Sequence, residues 1–341
     1  MSSPDTTIVQ TRPALTRAGN FFDFWKQTRL ELADVAPSVE VQRGETITDG
    51  LLLDTLRYGS LGGSRINGFL LHWDDDRPRP LVVYTHGYKS QTRVVQSWAE
   101  RGLHVLGFDT RGFGRSKGAV DHLSEAGYVL TGIGSPETSI LRGAVCDYVR
   151  AWQVGRHCLG SRIGRTIFYG RSFAGALALM AAVLATDAPD LLAIGVPTFG
   201  WAEGRRRLVR EGSGREINEF LRANPTQAAA VMKILSYFDP MNFADQVHCP
   251  ALVGVGLEDQ TVPPETVYAI VNHLNCPHEV REFPVSHSDK PEEQLWAQFD
   301  AEWLALAIQG VSPGFGDQGP HNNPAPDMRQ RSSSNLRHPP T

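Results

Sequence analysis

Seven apolar runs, each closed by glycine, proline or a polar residue, recur along the chain: RINGFLLHW, LVVYTHG, HVLGFDT, TIFYGRS, LLAIGVP, ALVGVGLED and VREFPVS. Several are apolar at consecutive positions rather than at alternate ones. Strands read that way when helices cover both faces of their sheet. Segments of helical character lie between the runs, among them ILRGAVCDYVRAW and ALALMAAVLA. Strand and helix in alternation predict an α/β domain built on a mostly parallel, doubly wound sheet.

Two stretches break the alternation. Residues 198–248, helical in parts, are too many for the crossover of a βαβ unit, which takes roughly 30 residues as a whole. They are expected to form a helical insertion that covers the site, ahead of the strand ALVGVG. The end of the chain, SPGFGDQGPHNNPAPDMRQRSSSNLRHPPT, is rich in Pro, Gly, Ser and Asn and has little to bury. The expectation is one folded domain over 1–311 and a disordered tail over 312–341.

With 341 residues, 41% of them hydrophobic, the chain can bury a sizeable core. The net charge of −4, from 33 basic and 37 acidic residues, leaves no basic stripe for nucleic acid. The polar start MSSPDTTIVQTRPALTRAG lacks the basic-then-apolar pattern of a secretory signal, and no apolar run is long enough to span a bilayer, so a cytoplasmic protein without a membrane partner is expected. Cys146, Cys158, Cys249 and Cys276 have no CxxC spacing, which argues against a zinc cluster or a disulfide framework. No metal or cofactor is expected.

In YGRSFAGALALM, Ser172 stands where a strand-like run becomes a helix-like one. Helix capping would suit a serine there, but it leaves the tiny residues Gly170, Ala174 and Gly175 unexplained. A sharp strand-to-helix turn that presents a nucleophile explains them, because strand and helix nearly touch at such a turn, and GxSxA is a variant of the G-x-S-x-G elbow. A serine hydroxyl needs a base, and the base an orienting acid, in the chain order serine, acid, histidine. Asp259, after ALVGVG, is the acid; its neighbour Glu258 competes, and a plain loop carboxylate is the bland alternative. His287, at the end of the last strand-like run between Ser286 and Ser288, is the base. His273 and His278 fall in the preceding helix and connection, and His321 and His338 in the tail. The oxyanion hole is expected from the N–H of Phe173 and, beyond the turn at His86-Gly87, that of Tyr88. His86 itself reads as a packed histidine, and Asp109 with Arg111 as an ion pair holding a loop.

These motifs, together with FFDFWKQTRLEL, GSLGGSRINGFLLHW, THGY, DTRGFGRS, GYVLTGI, GRSFAG, LSYFDPMNFA and CPALVGVGLEDQTVPPETVYAIVNHL, give a chain that resembles the α/β-hydrolases of the acetyl xylan esterase and cephalosporin C deacetylase family over most of residues 20–308. The resemblance implies a Ser–Asp–His hydrolase that removes acetyl groups from small acetylated sugars or related alcohols, inside the cell, as a ring-like homo-oligomer. Residue by residue, it puts Ser172, Asp259 and His287 in the triad and the N–H groups of Tyr88 and Phe173 in the hole. The chain departs from the family where Phe173-Ala174-Gly175 replaces a glutamine and two glycines, and where Ser288 replaces a glutamate. Phe173, Phe199 and Trp201 are expected to make the substrate pocket more apolar, with ordinary core roles as the alternative. Other readings are a natural-product tailoring hydrolase or acyltransferase using the same triad on a larger apolar substrate, and a non-catalytic binding module on the same scaffold.

Overall fold

A computed structural model describes residues 6–284, 286 and 293–317. Nine strands, β1 (Glu40–Thr48), β2 (Leu51–Gly59), β3 (Arg65–Trp73), β4 (Arg79–Tyr84), β5 (His104–Asp109), β6 (Ile163–Arg171), β7 (Leu191–Gly195), β8 (Ala251–Gly256) and β9 (His278–Phe283), form a sheet in the order β1-β2-β3-β5-β4-β6-β7-β8-β9. β4 to β9 pair in parallel, while β1, β2 and β3 extend the sheet antiparallel beyond β5. All seven apolar runs are strands. β1 and β2 were not legible: β1, EVQRGETIT, is exposed along nearly all its length and so carries no burial pattern.

Ten α-helices accompany the sheet among the described residues: α1 (Thr6–Val9), α2 (Phe21–Asp34), α3 (Gln96–Glu100), α4 (Ile140–Leu159), α5 (Phe173–Leu184), α6 (Ala202–Leu208), α7 (Gly212–Ala223), α8 (Ala228–Leu235), α9 (Pro264–Val271) and α10 (Glu293–Gln309). The central strands are buried on both sides, and neighbours on β6 show why. Phe168 meets Tyr148 and Trp152 of α4, at ring distances of 5.1 and 6.3 Å. Tyr169, one residue on, meets Trp98 of α3 at 5.1 Å and Trp303 of α10 at 4.8 Å. Successive side chains of a strand point to opposite faces, so β6 has to satisfy two helical layers at once.

α6, α7, α8 and short 3₁₀ turns fill the chain between β7 and β8. The chain also stays on the body past residue 311, because Phe315 is buried in the core. That differs from a tail beginning at 312: one aromatic side chain in a polar segment is enough to hold its neighbours down. Residues 318–341 lie outside the described residues. No helix among the described residues is long and apolar enough to cross a membrane.

Candidate active site

β6 passes into α5 through Ser172 alone, with φ 55° and ψ −118°. A non-glycine residue held at positive φ costs of order 1–3 kcal/mol and persists only where its surroundings enforce it. They do so here through the main chain. The Ser172 N–H donates to Gly195 O at 2.9 Å, and the Ser172 carbonyl accepts from the N–H groups of Ala176 (3.1 Å) and Thr198 (3.2 Å). A Cβ on Gly170 would overlap the Ala174 carbonyl and come within 2.6 Å of Gly175 N, which is the crowding inferred from the small residues. Although Ser172 holds the N-cap position of α5, its side chain makes no capping hydrogen bond. It lines a cleft of about 880 Å³ together with His86, Gly87, Tyr169, Arg171 and Trp296.

The loop after β4 reaches the same cleft. The Thr110 N–H donates to His86 Nε2 at 3.1 Å, so this nitrogen carries the lone pair, and Nδ1–H donates to Gly87 O at 2.7 Å. Burial pushes the imidazole below its ordinary pKa and keeps it neutral. The Gly87 carbonyl and the Tyr88 N–H belong to one planar peptide and point in opposite directions. By holding the carbonyl, His86 therefore sets the direction of the N–H. Neither the Tyr88 N–H nor the Phe173 N–H finds an acceptor among the described residues.

Asp259 follows β8 by three residues and is 3% exposed, whereas Glu258 faces solvent. Its Oδ1 accepts from the N–H groups of Thr261 (2.9 Å) and Val262 (2.8 Å), which fixes the carboxylate at the start of the turn into α9. β9 pairs with β8 through to Gly256 opposite Phe283, so the chain leading to residue 287 leaves the sheet beside the one leading to Asp259. His287 and Ser288 themselves lie outside the described residues, as do His321 and His338. The remaining competitors are engaged elsewhere: His273 Nε2 lies 2.7 Å from Pro13 O, and His278 opens β9 with Nδ1 2.9 Å from Cys276 O. The start of β9 is at the other end of the parallel strands from Ser172, about 20 Å away along six residues.

The aromatic residues are placed differently from the pocket expected of them. Phe173 is wholly buried, with Tyr88, Tyr128, Phe199 and Phe113 around its ring at 5.7, 5.9, 5.9 and 6.2 Å. It supports the Tyr88 loop from within and does not line the cleft. Phe199 borders a separate cavity of about 20 Å³ under the insertion, beside Arg205, whose guanidinium lies 5.5 Å from its ring. Trp201 sits against Arg207 at 5.2 Å. The chain leaving β7 takes positive φ at Val196, Phe199 and Trp201, and neither Phe199 nor Trp201 lines the cleft beside Ser172.

The family model described as "Acetyl xylan esterase (AXE1)" matches residues 3–304. The chain belongs to the acetyl xylan esterase family. Solved structures agree: an acetyl xylan esterase from Paenibacillus sp. R4 is 25% identical with a TM-score of 0.77, covering 88% of this chain and 99% of that one. Acetyl xylan esterase 1 from Thermoanaerobacterium sp. JW/SL YS485 is 20% identical with a TM-score of 0.79, covering 89% and 99%. A puromycin hydrolase shares the fold at 19% identity and a TM-score of 0.55, covering 81% of this chain and 40% of its own. This family member is thus an α/β-hydrolase-fold serine hydrolase of the carboxylic ester hydrolase class.

Other features of the esterase fold escaped sequence reasoning or were paired wrongly. Asp109 and Arg111 do not bond each other. Asp109 accepts from Arg115 Nε and N–H (both 2.7 Å) and from the Thr92 N–H (2.7 Å), while Arg111 grips Asp147 through Nη2 (2.7 Å) and Nε (2.9 Å). Burial would raise the Asp109 pKa, but these donors hold it below the usual carboxylate value. Asp109 ends β5 and Arg111 lies two residues on in the following loop, so the two face different neighbours and proximity in sequence was a poor guide to partners. Asp239, inside the LSYFDPMNFA motif, has a role that the sequence does not reveal. Its carboxylate accepts from the N–H groups of Trp201, Ala202 and Met241, at 3.1, 2.9 and 2.9 Å, pinning the start of α6, and burial pushes its pKa up to about 6. Among the described residues no group of three His, Cys, Asp or Glu side chains is placed to hold a metal ion.

Proposed function

We propose that this esterase removes acetyl groups from small acetylated sugars or related alcohols through an acyl-enzyme on Ser172. In this reading Ser172 Oγ attacks the ester carbonyl while His287 takes its proton, and Asp259 orients the imidazole. The N–H groups of Tyr88 and Phe173 bind the oxyanion, and His287 returns the proton to the departing alcohol. Water, activated by His287, then releases acetate. The observation that carries the reading is Ser172 itself, held at φ 55° between β6 and α5, without a capping bond, on the wall of the cleft. The acetylated substrate is supported by the family and by the names of its solved relatives. A cytoplasmic, homo-oligomeric enzyme, with residues 198–248 covering the site, is part of the same reading.

The test is acetate release from acetylated xylo-oligosaccharides and from p-nitrophenyl acetate by purified protein, alongside fluorophosphonate labelling read out by peptide mass spectrometry. Label is expected on Ser172, and Ser172→Ala is expected to lower kcat by a factor on the order of 10⁶ at an unchanged melting temperature. His287→Ala should be nearly as damaging. Label on another residue, or near-normal turnover by folded Ser172→Ala protein, would overturn the assignment.

A further inference from the structure

Helix α7 of the insertion reaches the loop that carries Tyr88, and one carboxylate makes the connection. Tyr88 Oη donates to Glu216 Oε2 at 2.5 Å, and Lys89 Nζ lies 2.6 Å from Glu216 Oε1. The Glu216 side chain is only 11% exposed, although its partner Lys89 is 63% exposed. The Val129 N–H donates to Tyr88 Oη at 3.4 Å. Gly127, at φ 135°, leaves the room: a Cβ there would overlap the Glu216 carboxylate and stand 2.9 Å from its Cβ. Elsewhere α7 buries Ser213, Gly214, Ile217 and Leu221, so an apolar residue at 216 would continue the packing. A carboxylate kept from water beside that face costs stability unless its partners compensate. Its two partners are consecutive residues, Tyr88 and Lys89, and Lys89 stands at φ 54°.

We propose that Glu216 is a positioning residue for the oxyanion hole. His86 holds the peptide ahead of Tyr88 through the Gly87 carbonyl, and Glu216 holds the phenol and the strained residue after it. Together they define the direction of the Tyr88 N–H from both sides. The inference rests on the reading of Tyr88 as a hole donor. An N–H that is displaced or free to rotate loses most of its value in the transition state and little in the ground state. Loss of Glu216 should therefore appear in kcat and not in KM.

The experiment uses full-length protein with Glu216→Ala, Glu216→Gln, Tyr88→Phe and the Glu216→Ala/Tyr88→Phe double variant. Rates are normalised to the amount of fluorophosphonate-reactive serine, and the Ki of a trifluoromethyl ketone, whose hemiketal oxygen occupies the hole, is measured for each. Glu216→Ala and Tyr88→Phe are each expected to lower kcat by roughly 10-fold or more, with KM within about twofold and Ki raised in proportion. The double variant should be no worse than Glu216→Ala, because both cut the same link. Glu216→Gln can still accept from Tyr88 Oη and should lie between wild type and Glu216→Ala. If Glu216→Ala does not fold, Tyr88→Phe and Glu216→Gln decide. Variants that keep kcat and Ki within twofold of wild type, or that lose active protein while the remainder keeps its Ki, overturn the role of Glu216 and leave the triad standing. Absence of label on Ser172 in the wild type would overturn the triad instead.

Discussion

Ser172 shows how one residue can carry an energetic cost that the rest of the fold enforces. Its φ of 55° is unfavourable for any side chain, and only glycine takes it without steric penalty. Ser172→Gly and Ser172→Ala should both be inactive, yet Ser172→Gly should be the more stable of the two by about 1–2 kcal/mol, because alanine keeps the strain. Chemical denaturation of both variants measures the difference, and equal stabilities would mean that the turn is not strained. The serine was legible because its requirements reach back into the sequence as Gly170, Ala174 and Gly175. The role of Phe173 was not, since its side chain is placed by Tyr88, Phe113, Tyr128 and Phe199, which are 26 or more residues away along the chain.

At the scale of elements, β5 carries a titration into the core. His104, its first residue, is fully buried, and Nδ1 accepts from the Trp73 N–H of β3 at 3.4 Å. Burial, with His72 close by, drives its pKa down to about 4, against about 6.5 in an unfolded chain. Above about pH 6.5 the imidazole is neutral in both states and stability is unaffected. As pH falls from there toward 4 the unfolded chain takes up a proton that the folded one refuses, so stability is lost, by up to roughly 3 kcal/mol. Burial of His86 acts in the same direction, while Asp239, its pKa raised to about 6, takes up its proton first in the folded chain and offsets part of the loss. Melting temperature should therefore fall between pH 7.5 and 5, and His104→Gln should flatten the curve. A His104→Gln curve as steep as that of the wild type would remove His104 from the explanation.

For the whole molecule, closure of the core extends past the last helix. Phe315 is buried beyond the end of α10 at Gln309, in a segment whose composition predicts no structure. Phe315→Ala should destabilise the protein by about 3–5 kcal/mol, the usual cost of emptying a buried phenylalanine site. A change below about 1 kcal/mol in urea unfolding would mean that the segment does not seal the core.

Local chemistry was enough to determine the seven strands of the central sheet, helices α4 and α5 between them and the turn at Ser172. Apolar runs, small residues and turn residues act on their immediate neighbours, so their consequences can be read in order along the chain. Tertiary structure decided the rest. The polar strand β1 exists only because β2 offers its edge. Asp109 chose Arg115 and Asp147 chose Arg111 according to which side of the loop each faces. Phe199 packs on Phe173 and Arg205, and Trp201 on Arg207, while Asp239 secures the backbone at Trp201, so neither ring lines the cleft. Glu216 met Tyr88 across 128 positions of sequence. Pairings of this kind depend on which surfaces the folded chain brings together, and no local pattern in the sequence encodes that.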